Sequence, residues 1–302
     1  MSFDHYAPAD LGEPLQRGLS LRTGPFLLEV RSSELGVARG LAALYAGVLI
    51  DPAAKHELHD FHVRVERVPG LRRWLRPQVN FWMDGLSPFK PLPVEHAFPL
   101  LEWGMNWCIA SHAHHYLLLH AAVLERHGRC VILPGDPGAG KSTLTAALML
   151  SGWRLLSDEM TIIDRDDGLL VPLARPVSLK NRSIDVIRAF SRDAVFGETA
   201  HDTHKGTVSH LRPSADSVAR MTEKGRAAHI VFPRWEAGAE TALTRRPKAD
   251  AFMHAATHAF NYSLLGRLGF DLTAALIDAC ECWDFRYAQL DEALHVFESL
   301  VA

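Results

Sequence analysis

The sequence predicts a mixed α/β (α+β) protein, with a small α+β module in front of a phosphate-loop domain built on a mixed sheet. Three observations lead there. A glycine-rich phosphate loop lies between a short apolar run and a helical segment. Two strand-like runs joined by a tight turn lead directly into that loop, whereas a parallel βαβ unit would place a helix there. The residues before residue 95 carry strand and helix patterns of their own. In chain order, residues 19–32 alternate around Gly24-Pro25-Phe26 and read as two short strands or one bent strand. Residues 34–46 place Leu35, Val37, Leu41, Leu44 and Tyr45 at helical spacing. Residues 60–68 alternate through Phe61, Val63 and Val65, and residues 78–83 form a further strand pattern. Residues 86–93 hold Pro88, Pro91 and Pro93 and read as a connector, since proline continues neither a helix nor a central strand. A long apolar helix is expected over 95–115. The expected division is an N-terminal α+β domain over residues 1–95 and a phosphate-loop domain over 96–302, with its core at 116–235 and a helical part at 248–302.

Residues 117–124 read as a strand, Glu125-Arg126-His127-Gly128 as a turn, and Arg129-Cys130-Val131-Ile132-Leu133 as the strand entering the loop. The loop itself is Gly135-Asp136-Pro137-Gly138-Ala139-Gly140-Lys141-Ser142, which meets G-x-x-x-x-G-K-[ST] at every fixed position. Its glycines let successive N–H groups curl toward phosphate oxygens. Lys141 has the reach for β- and γ-phosphates, and the Ser142 hydroxyl can ligate Mg²⁺. Thr143 lies beside it. The following helix, over 142–150 with Gly152 as its stop, adds the positive end of its dipole.

Residues 153–163 read as one buried strand carrying Asp158 and Glu159 side by side. Neighbours on a strand point to opposite faces, so one carboxylate can turn toward the loop and bind Mg²⁺. The other, at a strand end or kink, can accept a proton. The alternative is that both acids lie on an exposed edge or turn. Phosphoryl transfer also calls for further cations. Lys180, Arg182, Lys205, Arg212 and Arg234 are the candidates; Lys180 and Arg234 each follow an apolar run whose end can aim them at the site, and Lys205 sits in a polar loop. His112 and His115 share a helix face but have no Cys, Asp or Glu at matching spacing, so they are read as non-ligating.

Over the 302 residues, 48% are hydrophobic and 22% charged, as in ordinary globular proteins. A formal net charge of −3 gives no reason to expect a nucleic-acid partner. The sequence MSFDHYAPADLGEP lacks a signal-peptide pattern, and no stretch approaches 18 uninterrupted apolar residues, so neither export nor a membrane partner is expected. The sparse cysteines, Cys108, Cys130, Cys280 and Cys282, fit reduced thiols in a cytoplasmic protein.

His120, the loop from Gly135 and the pair Asp158-Glu159 occur in an order and spacing that resemble the catalytic domain of bacterial HPr kinase/phosphorylase, and more specifically the HPr-kinase-related kinases of type A. The resemblance covers residues 120–163 and extends more weakly through Leu179-Lys180-Asn181, residues 205–213 and Val231-Phe232-Pro233-Arg234; Gly24-Pro25-Phe26 also fits the related kinases. It implies a fold like that of phosphoenolpyruvate carboxykinase, ATP and Mg²⁺ as cofactors, and phosphoryl transfer to a serine hydroxyl of a protein or peptide. A peptide made by a neighbouring biosynthetic cluster is one such acceptor, and a homo-oligomer is expected. It assigns phosphate binding to Gly135 through Ser142, base catalysis and metal contact to Asp158, a metal role to Glu159, a place near the γ-phosphate to His120, and transfer catalysis to Lys141. Glu159 stands where the family has a second aspartate, and the Gly/Arg/Asn-rich signature of phosphorolysis is missing, which leaves the kinase half. A kinase for a small hydroxyl compound such as free serine and a nucleotide-binding regulator are the other readings.

Overall fold

Alternation in the front residues becomes a five-stranded mixed sheet in the computed structural model, which describes residues 7–48, 58–70, 75–136 and 138–302. Its strands are β1 (Leu19–Thr23), β2 (Phe26–Ser32), β3 (Phe61–Arg67), β4 (Gln78–Met83) and β5 (Leu92–Pro93), in that order, with β2 and β3 parallel and the other pairs antiparallel. Residues 19–32 therefore form two strands, turned at Gly24 with φ +54°. The helix Leu35–Leu44 follows β2, and the long helix Ala97–His112 lies across the sheet. Two glycines set how closely these pieces approach. A Cβ on Gly104 would come within 2.1 Å of the Phe81 ring, and one on Gly40 within 2.0 Å of the Phe98 ring. The apolar cluster beneath the sheet continues into Leu118, Met160, Ile162 and Leu173, so the two parts of the chain share packing.

The later strands are β6 (Tyr116–Leu119), β7 (Ala121–Arg126), β8 (Arg129–Pro134), β9 (Arg154–Ser157), β10 (Thr161–Asp164), β11 (Leu170–Val171), β12 (Val177–Lys180), β13 (Ala200–Thr203), β14 (Gly206–Leu211), β15 (Ala227–Trp235), β16 (Ala242–Arg245) and β17 (Glu281–Tyr287). Six of them form a mixed sheet in the order β16-β17-β15-β8-β7-β9, in which β17, β15 and β8 run parallel and the remaining pairs are antiparallel. The β7–β8 hairpin turns on His127 and Gly128, both at positive φ (53° and 74°), the backbone twist that two-residue hairpins favour. The strand β8 alternates across the sheet. Val131 and Leu133 pack with the helices Lys141–Leu150 and Leu290–Val301, while Cys130 and Ile132 pack with Lys248–Thr257 and Arg267–Ala279.

Two expectations about strands need correction. The run 117–124 is two strands, β6 and β7, broken at His120 and belonging to different sheets. The run 153–163 is likewise two strands, β9 and β10, with Asp158-Glu159-Met160 in a bend that the Met160 N–H fastens to Ser157 Oγ at 3.1 Å. The breaks match, because β9 pairs with β7 and β10 with β6. The chain thus steps from one sheet to the other twice at the same level, leaving His120 and the acids free of ladder pairing. All four cysteines are free and buried, and burial pushes the Cys108, Cys130 and Cys280 thiols up to about 12. Among the described residues, no helix is long and apolar enough to cross a membrane.

Candidate active site

The carboxyl ends of the parallel strands β8, β15 and β17 converge on one edge of the six-stranded sheet, the usual location of ligand crevices in such sheets. The loop after β8 is held from both neighbours. The Trp235 N–H donates to the Ala139 carbonyl at 3.0 Å, and the Tyr287 hydroxyl donates to the Gly140 carbonyl at 3.2 Å. Gly140 has φ +85°, and a Cβ there would meet the Tyr287 hydroxyl at 2.7 Å and Trp235 Cβ at 2.8 Å, so this position needs glycine for conformation and for space.

A cleft of about 860 Å³ opens above the loop, within the size range of small-ligand sites. Gly135, Asp136, Gly138, Gly140, Lys141, Ser142 and Thr143 line it, with His120, Glu159 and Lys180 on the wall. Ala139 is not on the wall and serves through its carbonyl; Pro137 lies outside the described residues. Lys141 is buried, and its Nζ donates to the backbone carbonyl of Asp158 at 3.4 Å. Burial pulls its pKa down, against the attraction of Asp158 and Glu159.

The bend separates the two acids by environment. Asp158 is buried behind the cleft wall, where Oδ2 accepts the Ser178 N–H at 3.0 Å and Oδ1 has no hydrogen-bond partner among the described residues. Burial raises its pKa to about 6, with Lys141 pulling the other way and Glu159 adding to the rise. Glu159 lies on the cleft wall, 3.8 Å from Lys180 Nζ, and accepts a hydrogen bond from Asn106 Nδ2 at 3.0 Å. Burial pulls Glu159 upward, but Lys180, Lys141 and Lys205 outweigh it, and its pKa falls below the ordinary value. His120 is driven down to about 4 by burial first and by Lys141 second, so its ring is neutral near pH 7. A neutral ring can orient or hydrogen-bond a group but carries no cationic charge.

Of the cations proposed from sequence, Lys180 reaches the cleft from the end of β12, and Arg182, on the next turn of chain, lines it as well. Arg234 does not. Its side chain is 77% exposed and lies 3.7 Å from Glu236, because the pleat of β15 sends it outward and turns Trp235 to the cleft instead. Lys205 lies off the wall, with Nζ 5.3 Å from the centre of the Trp103 ring. Arg212 is off the wall too.

Sequence reasoning missed Ser178, Ser183, Trp235 and Tyr287 on the wall, and a buried polar chain behind it. The Tyr45 hydroxyl donates to Glu102 Oε1 (2.5 Å). Arg175 Nη2 donates to Glu102 Oε2 (2.6 Å), and Nη1 to Asn106 Oδ1 (2.9 Å). Asn106 then holds Glu159. The carboxylate of Glu102 and the phenol of Tyr45 overcome burial and keep Arg175 more firmly charged than usual.

No protein-family profile matches the chain, and no curated protein matches it. Among solved structures, the chain is similar to the Hpr(Ser) kinase/phosphatase from Coxiella burnetii, with a TM-score of 0.27 and 12% sequence identity over 61% of this chain and 93% of that one. An overlap at this score falls short of a shared global fold.

Proposed function

We propose that the protein is an ATP- and Mg²⁺-dependent kinase that transfers the γ-phosphoryl group to a serine-type hydroxyl of a protein or peptide. One observation supports this most: a single cleft is lined by Gly135, Asp136, Gly138, Gly140, Lys141 and Ser142 of the phosphate loop and also by Glu159 and Lys180, with buried Asp158 next to Glu159. A nucleotide-binding module needs the first half of that arrangement; transfer needs the second. Backbone N–H groups of the loop and Lys141 bind and orient the phosphates. Ser142, Asp158 and Glu159 form an all-oxygen donor set suited to Mg²⁺, and the partnerless Asp158 Oδ1 is consistent with a ligand there. Mg²⁺ bound there would neutralise charge on the phosphate oxygens. Asp158, with its pKa raised to about 6, is a carboxylate at neutral pH yet basic enough to take the acceptor hydroxyl's proton. Lys180 and Arg182 supply further positive charge along the wall. The resemblance carried by His120, the loop and the acids supports the hydroxyl acceptor.

The test is γ-labelled ATP with cell lysate. Label should enter protein or peptide with the wild type. It should fail with Asp158→Asn although nucleotide affinity stays within a few-fold, and fail with Lys141→Ala. Transfer surviving Asp158→Asn would remove the base assignment. Label found only in a small molecule would move the acceptor class.

A further inference from the structure

The histidines at the end of the helix Lys248–Thr257 are not used by the kinase reading. We infer that His254, His258 and Asp136 form a second metal site, on the flank of the cleft, for a transition-metal ion of the Zn²⁺ class. His254 and His258 are one helical turn apart, with rings stacked at 4.1 Å between centroids and 15° between planes. Asp136, from the phosphate loop, brings its Oδ1 to 3.2 Å from His258 Nε2. One donor atom from each of the three residues lies within 4.8 Å of the others. Tetrahedral donors at ~2 Å bonds stand about 3.3 Å apart, close to the 3.2 Å between His258 Nε2 and the Oδ1 of the 70% exposed Asp136.

Hydrogen bonding fixes which ring atoms are available. His258 Nδ1 lies 2.9 Å from the His254 backbone carbonyl. A carbonyl only accepts, so Nδ1 carries the hydrogen, and in the neutral ring Nε2 is a bare lone pair. In that tautomer the lone pair faces a carboxylate oxygen, acceptor against acceptor, a contact that either a proton or a cation between them reconciles. His254 Nε2 is a second buried nitrogen, with no hydrogen-bond partner among the described residues. Two imidazole nitrogens and one carboxylate make the three-ligand set of an open zinc site, and the carbonyl on His258 Nδ1 is the kind of outer partner that orients such ligands. Nitrogen donors select Zn²⁺, Co²⁺ or Ni²⁺ over Mg²⁺. The His120 N–H donates to the His258 carbonyl at 3.1 Å, so the ion would fasten the phosphate loop to the chain segment that also holds His120.

The experiment is titration of the full chain with Co²⁺ alone, at a few millimolar Mg²⁺ and without nucleotide, followed by Zn²⁺ competition. One Co²⁺ per chain should give the intense visible bands of four- or five-coordinate cobalt, displaced by one equivalent of Zn²⁺. His254→Gln and His258→Gln should each weaken Zn²⁺ at least tenfold. Asp136→Asn, which alters only an exposed side chain, should weaken it several-fold and serves if a histidine variant fails to fold. The double change His112→Gln with His115→Gln should leave affinity unchanged. Absence of the cobalt bands in the wild type would overturn the site and leave a proton-bridged His258–Asp136 pair. So would unchanged Zn²⁺ affinity in Asp136→Asn and the histidine variants, or a loss confined to the His112/His115 variant.

Discussion

Around β1–β5 the buried side chains are nearly all aliphatic or aromatic, and the buried acid Glu34 is matched by Arg67 with both carboxylate oxygens 3.1 Å from Nε. Around the cleft, by contrast, Lys141 and Asp158 are buried, and Glu159 and His120 lie beside them, with protonation equilibria pulled away from their ordinary values. Both regions use strands of similar length and hydrophobicity. The difference lies in where charge is left incompletely compensated. The front sheet has settled its electrostatics, whereas the cleft keeps several charges close together and partly buried, with their protonation shifted. Such clustering of shifted groups in a cleft makes it the candidate functional site.

The sharpest way to break that contrast is at the seam. Arg175→Met leaves Glu102 buried without its cation and should cost about 3–5 kcal/mol, read by denaturant unfolding. It should also loosen Asn106 and therefore Glu159. Next, Lys141→Ala should lower transfer by about 10²–10³-fold, measured as label incorporation, because it removes a preorganised cation from the cleft. A smaller effect, of opposite sign, is expected for Asp158→Asn. Folding raises this carboxyl from 3.8 to about 6, so its protonated form adds stability that is complete below pH 4 and lost as pH rises through about 6. The amide keeps that contribution at every pH, so the variant should be more stable by about 3 kcal/mol at pH 8 and no more stable below pH 4, while transfer is lost. His120 works in the other direction. Its neutral form is favoured, so its contribution is present above pH 6.5 and lost as pH falls through about 4. Stability curves against pH should show a shallower acid limb for His120→Gln and a steeper one for Asp158→Asn. Front-sheet variants such as Val63→Ala should move the curve without changing its slope.

Much of the frame was legible because it rests on local signals. The phosphate loop, the hairpin before it and the front strands follow from glycines, turn residues and alternation. The two strand breaks were not legible. Both faces of β6, β7, β9 and β10 are buried, so apolar residues flank each break without a clean alternation, and the polar residues at the breaks, His120 and Asp158-Glu159, read as part of a continuous strand. The acids are therefore expected on opposite faces of one strand, whereas the bend leaves Asp158 buried behind the cleft wall and Glu159 on it. Arg234 was misplaced by one residue of pleat, and a signal existed: Trp235, its neighbour, was the large side chain at the strand end. Tyr287 could be found only once β17 was known to run parallel beside β15. The Tyr45–Glu102–Arg175–Asn106 chain joins residues too far apart in sequence for any motif to reveal.

That chain also governs how the protein can be recombined. Tyr45 belongs to the front module, Glu102 and Asn106 to the long helix, and Arg175 to the segment after β11. A hybrid that took its front module from another protein would have to bring a phenol to the place of Tyr45, or the carboxylate that holds Arg175 would lose a donor inside the protein. The front half is thus not an interchangeable attachment: whatever replaces it inherits one end of the hydrogen-bond line on which the aim of Glu159 depends.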